Sequence, residues 1–139
     1  MASSRLGRRR VAAGVAALAL LAVLVRFWAL GYRVFHWDEG RVGYWILRYA
    51  ETGQYTYQPI IHGPFLYHVD KYVFAAFGAS DFTARAVVAL VGGLLPLSAW
   101  LFRDHLRDTE VLAFAGFLTL NPVLLYCSRF MRNDVLVGA

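Results

Sequence analysis

Two short stretches hold the residues best suited to chemistry. The first is His36-Trp37-Asp38-Glu39-Gly40 and the second is Ser128-Arg129-Phe130-Met131-Arg132-Asn133-Asp134. Each follows an apolar block, at the point where such a block would leave a membrane. Ionisable groups at that boundary are costly to place and are functional by default. A carboxylate held there can take the proton of an attacking hydroxyl, while a neighbouring guanidinium grips phosphate oxygens through paired hydrogen bonds. Asp38, Glu39 and Asp134 are therefore candidate catalytic acids, and Arg129 and Arg132 candidate phosphate contacts. His62 and Lys71, between the two motifs, are further candidates for binding substrate phosphate. Each acid also has a plainer use. Asp38 suits the N-cap of a following helix, with Glu39 in its first turn, and Asp134 suits a local ion pair with Arg129 or Arg132.

Other reactive residues point less clearly. His36, His62 and His68 fall on one side of the first two apolar blocks, but their spacing matches no helical two-histidine metal motif. Cys127 is the only cysteine, so neither an intrachain disulfide nor a cysteine metal site can form. Trp28, Tyr32, Phe35, Trp37, Tyr44, Trp45 and Tyr49 suit a membrane-interface belt and, secondarily, sugar stacking.

The elements that must position these groups follow from composition. The 139 residues are 59% hydrophobic, against about 45–50% in soluble domains, and the excess lies in three blocks. Net charge is +5, with thirteen arginines and a single lysine. No nucleic-acid motif accompanies that charge, and the arginines flank apolar blocks as orientation signals do. The reading is an all-α, polytopic membrane protein. Residues 1–10 form a basic, disordered cytoplasmic start. A first span covers 11–30 if Arg26 snorkels to the interface. A signal peptide is the competing reading, but Phe27-Trp28-Ala29-Leu30 offers no small-residue cleavage site.

An outer loop over 31–83 carries two amphipathic surface helices, Glu39–Thr52 and Pro64–Phe77. The first places Val42, Trp45, Ile46, Tyr49 and Ala50 on one face. The second has a stripe of Phe65, Val69, Tyr72, Val73 and Ala76, and Gln54–Gly63 between them reads as an ordered loop. The second span is 84–102, with Asp81 as its N-cap, and the third is 111–127, interrupted by Asn121-Pro122. A second outer loop, 128–134, leads into the apolar opening of a fourth helix, so the chain is expected to be the N-terminal portion of a longer protein. Arginine density places the N-terminus in the cytoplasm of a multi-pass cell-membrane protein. Whatever the absolute orientation, one span precedes Asp38 and three precede Asp134, so both acids lie on one face.

In their order these pieces resemble the GT-C membrane glycosyltransferases. The similarity is narrower to the group of protein-O-mannosyltransferase-like and aminoarabinose-transferase-like enzymes, and within it to an archaeal flippase-activity-associated branch of protein N-glycosylation. Asp38-Glu39 matches the Asp-Glu of that family's first outer loop. The stretch from Gln58 to Tyr67, with His62-Gly63-Pro64, resembles the segment leading into its second surface helix. Asn121-Pro122, Ser128-Arg129 and Asp134 are similar to its second outer loop, and the likeness covers about residues 11–139. A basic Pro-Pro segment of the aminoarabinose-type enzymes is missing, which weakens the carry-over of donor contacts to His62.

The resemblance implies transfer of a sugar from a polyprenyl-phosphate donor to a glycan, lipid or protein acceptor at the outer face. Asp38 would be the base, Asp134 a supporting acid, and Arg129 and Arg132 the phosphate contacts. The leaving phosphate would be stabilised by arginine or by a divalent metal ion, for which Asp38 and Asp134 are the candidate ligands. The competing class is a non-catalytic accessory protein of lipid-linked oligosaccharide flipping or assembly.

Overall fold

A computed structural model of the chain describes residues 2–57 and 64–138, with side chains over 7–57 and 64–136. Among these residues every regular element is helical. Helix α1 spans Ala2–Phe27, α2 Trp37–Thr52 and α3 Phe65–Phe77; α4, Asp81–Leu94, runs directly into a 3-10 stretch, Leu95–Phe102. Helices α5 (Asp108–Leu120), α6 (Pro122–Cys127) and α7 (Asp134–Gly138) complete the order.

Two helices are long and apolar enough to cross a membrane, Gly7–Phe27 and Asp81–Phe102. At 1.5 Å per residue, each is about the 30 Å thickness of a hydrocarbon core. Their outward faces carry exposed Leu20, Leu24, Leu90, Leu94 and Leu101, while the inward faces pack together. Gly93 allows that approach, since a Cβ there would sit 2.7 Å from Val23 Cγ2. At the other end Val11, Val15, Ala99, Val111 and Ala115 join α1, the 3-10 stretch and α5 in one cluster.

Three expectations need correction. The basic start is helical from Ala2 rather than disordered, because arginine is a good helix former and the apolar segment supplies the nucleus. Ser80, not Asp81, caps α4, with its hydroxyl accepting from the Thr83 amide. The buried face of α3 is Leu66, Tyr67 and Asp70, while Phe65 and Tyr72 point outward. That helix is apolar on most sides, so periodicity could not choose the face. The interruption expected at Asn121-Pro122 is present, and it divides the third apolar block into α5 and α6.

The division has a clear local cause. Pro122 has no N–H for the Leu118 carbonyl. Asn121 restarts the helix by accepting from the Val123 and Leu124 amides, both at 3.0 Å, so the Val123 amide no longer serves Thr119. Three carbonyls, those of Leu118, Thr119 and Leu120, lose their helical donors, and Arg26 serves the first two. Its Nη2 donates to Leu118 O at 3.2 Å, its Nη1 to Thr119 O at 3.3 Å, and its Nε to Ser128 Oγ at 2.9 Å. Arg26 is thus fully buried and does not snorkel. The C-terminal, negative end of the α5 dipole favours a cation there. Gly92 makes the room, because any side chain at that position would run into Ser128.

Replacing Arg26 by Met should cost at least about 2 kcal/mol, since two buried carbonyls lose their donor. In a Pro122→Ala background the amide restored at position 122 can serve Leu118, and the same change should cost less. Unfolding in mixed micelles measures both, and equal costs would contradict this account of the break.

Candidate functional site

The site is assembled at the N-terminus of α2. His36 is the N-cap, with Nδ1 accepting from the Asp38 amide and the Glu39 carboxylate accepting from the His36 amide at 3.0 Å. The expected cap, Asp38, lies instead inside the helix's first turn. That frees its carboxylate from backbone duty.

Glu39 turns inward and is fully buried. Its Oε1 accepts from Arg85 Nε at 2.7 Å and the Met131 amide at 3.0 Å. Its Oε2 accepts from Arg85 Nη2 at 2.8 Å, Arg33 Nη2 at 3.1 Å and the His36 amide. Burial pushes this carboxyl up, but the hydrogen bonds from Arg85, His36 and Met131 outweigh it and hold the group below the usual carboxylate range. The remaining donors of Arg85 go to the carbonyls of Leu30, Arg33 and Val34. A carboxylate has roughly four lone-pair sites, so Glu39 has none left to receive a proton from substrate. Its work here is positioning.

Asp38 and Asp134 present a different picture, with side chains 44% and 48% exposed. Between them lies Arg132, whose Nη1 is 3.8 Å from Asp38 Oδ2 and whose Nε is 3.3 Å from Asp134 Oδ2. A guanidinium is a rigid planar fork, so the two carboxylates lie within about 10 Å of each other. His36 Nδ1 is 3.7 Å from Asp38 Oδ2. The Arg33 guanidinium stacks 3.9 Å from the Phe130 ring centroid, which ties the stretch after α1 to the stretch after α6.

An open cleft of about 310 Å³ is lined by Val25, Leu30, Arg33, Leu125, Tyr126, Arg129 and Phe130. It is apolar along its walls and carries two guanidinium side chains. Arg129 also donates to Trp28 O at 2.7 Å, near the end of α1, where Ala29 takes a left-handed φ of 50°.

Other candidate residues lie elsewhere. Lys71 sits 4.0 Å over the Tyr49 ring, about 16 Å along α2 from Asp38 by helical rise, so it does not join the acid pair. His62 falls outside the described residues, as does the rest of the stretch from Gln58 to Gly63. His68 meets Tyr49 Oη at 3.3 Å. No group of three or more metal-ligating side chains forms among the described residues. Arg132 already occupies the space between Asp38 and Asp134, so this pair does not fit a shared metal ion as arranged.

Sequence reasoning missed Arg85 and Asp70. A charged residue at the second position of the expected 84–102 span was the available signal for Arg85. Asp70 is buried with neither oxygen hydrogen-bonded among the described residues, and burial raises its carboxyl to about 7.

No protein-family model, curated protein or solved structure matches the chain.

Glu39→Gln leaves Arg85 buried without its counter-charge and should destabilise the protein by about 3–5 kcal/mol. Asp38→Asn, on an exposed pair, should cost less than about 1 kcal/mol; similar losses for both would refute the distinction. Asp70 is protonated in the fold and ionised in the unfolded chain between its ordinary value of 3.8 and about 7. Its contribution is complete below that window and is lost as pH rises through it. Unfolding titrations should show this decline, and Asp70→Asn should remove it.

Proposed function

We propose that the protein is a membrane glycosyltransferase of GT-C type, moving a sugar from a polyprenyl-phosphate donor to an acceptor hydroxyl at the outer face. The observation that carries the proposal is the Arg132 guanidinium between two exposed carboxylates, Asp38 and Asp134. The apolar cleft with Arg33 and Arg129 supports it, because a lipid phosphate needs an apolar wall beside cationic groups. In this reading the N-terminus is cytoplasmic, and 31–83 and 128–134 lie outside in a multi-pass arrangement.

In the proposed reaction Asp38 accepts the proton of the acceptor hydroxyl as its oxygen bonds to the anomeric carbon. The bond from that carbon to the phosphate oxygen breaks, and the lipid phosphate leaves with the electron pair. Arg132 and Arg129 stabilise the charge on the departing phosphate, and Asp134 orients Arg132. Glu39 supports this chemistry by holding the first turn of α2, which fixes where Asp38 can point. No step needs a metal ion.

Full-length protein carrying Asp38→Asn should insert normally and lose sugar transfer by at least ~100-fold, the effect of removing a general base. Labelled polyprenyl-phosphate sugars supply the assay. Transfer at the normal rate would remove Asp38 from the mechanism and favour an accessory role in lipid-linked oligosaccharide assembly.

A further inference from the structure

The start of α1 carries a hollow of its own. Arg8, Arg9 and Ala12 of α1 and Trp100 of the 3-10 stretch line about 420 Å³, some 28 Å along α1 from Phe27 by helical rise. Consecutive helix positions turn by about 100°, which brings Arg8, Arg9 and Ala12 to one side and sends Arg10 to the other. Trp100 is half-buried against the cluster of Val11, Val15, Ala99, Val111 and Ala115, so its ring is held in place. The Arg103 guanidinium stacks 5.0 Å from the centroid of that ring and adds a third cation beside the hollow.

Charge says what kind of group fits. Neither Arg8 nor Arg9 forms an ion pair among the described residues, and residues 1–6, 58–63 and 137–139 contain no Asp or Glu. Asp104 lies 3.5 Å from Arg103 but does not line the hollow. Guanidinium forks with no carboxylate between them suit phosphate oxygens, and they give the ammonium of a zwitterionic headgroup no partner. Depth says where the phosphate comes from. The first candidate span begins at Gly7 and the second ends at Phe102, so the hollow sits where both helices leave the apolar layer, the level at which tryptophan is favoured. Leu97 and Leu101, exposed on the same stretch as Trp100, offer an apolar track that a free phosphate would not use.

We propose that this hollow binds the headgroup phosphate of an anionic phospholipid. Arg8 and Arg9 hold the phosphate oxygens, Trp100 covers the glycerol, and an acyl chain runs past Leu101 toward Leu97. The site requires the two helices to cross a bilayer and requires nothing of the transfer reaction.

Trp100 can report on its own occupant. In the 139-residue chain carrying Trp28→Phe, Trp37→Phe and Trp45→Phe, its fluorescence is quenched by lipids brominated on the acyl chain. In phosphatidylcholine vesicles, brominated phosphatidylglycerol should associate with Trp100 at least ~5-fold more strongly than brominated phosphatidylcholine. Arg8→Gln and Arg9→Gln alter exposed side chains, so the fold should persist, and each should lower that preference by at least ~3-fold. Arg10→Gln removes the same charge from the far side of a helix about 10 Å across. In physiological salt it should change the preference by less than ~1.5-fold. An excess of soluble glycerol phosphate should leave the preference intact. Equal quenching by the two lipids would overturn the site. So would an equal loss in Arg10→Gln, which would reduce it to the attraction of any basic helix for an anionic surface. Displacement by glycerol phosphate would overturn it in favour of a free anion. Sugar transfer is read in a separate assay, so either proposal can fail without the other.

Discussion

The arrangement around the start of α2 depends on one buried ion pair, Glu39 with Arg85. Arg85 enters from α4, inside an otherwise apolar segment, and all five of its N–H groups find acceptors. Glu39 in turn receives Arg33, the His36 amide and the Met131 amide. One carboxylate therefore joins Arg33 after α1, the start of α2, the second candidate span and the stretch after α6. A buried pair of this kind gains little over apolar packing, yet losing one member is severe. Its value is geometric: it sets the direction in which α2 starts, and with it the place of Asp38.

Arg26 plays the matching role at the helix break. Its cationic group answers two of the carbonyls that Asn121-Pro122 leaves open, and its contact with Ser128 fixes the beginning of the stretch after α6. Ser128 and Met131, three residues apart, are thus held by Arg26 and Glu39 respectively. Between these two anchors the chain has little freedom, and Arg132 follows directly after the second. The proposed chemistry rests on that double restraint, because an exposed salt link such as Arg132 with Asp38 is too weak to organise a site alone.

Much of this was legible in the amino-acid order. The extents of α2 and α3 follow from apolar spacing and from Gly53 and Gly78. The two acids were expected to approach each other, and Arg132 meets both carboxylates. The roles of the buried arginines were not legible. A lone arginine near the end of an apolar block reads as a snorkelling residue, and only the three-dimensional position of the orphaned Leu118 and Thr119 carbonyls draws Arg26 inward. Neighbouring acids likewise look interchangeable in sequence. Asp38 and Glu39 part because consecutive helix positions point about 100° apart, which sends one to solvent and the other to Arg85. The buried side of α3 was illegible for the opposite reason, since nearly every side of that helix is apolar.

The central claim is that the Glu39–Arg85 pair holds Asp38 and Asp134 together, and a cross-linking measurement addresses it directly. Cysteines at positions 38 and 134, in a Cys127→Ser background, would be treated with a bis-maleimide spanning about 10 Å, the separation a shared guanidinium imposes. Efficient intramolecular linkage is predicted with Glu39 and Arg85 intact, and a large loss of linkage when Glu39 is changed to Gln in protein that remains helical and inserted. No linkage in the intact background, or undiminished linkage after Glu39→Gln, would contradict the account.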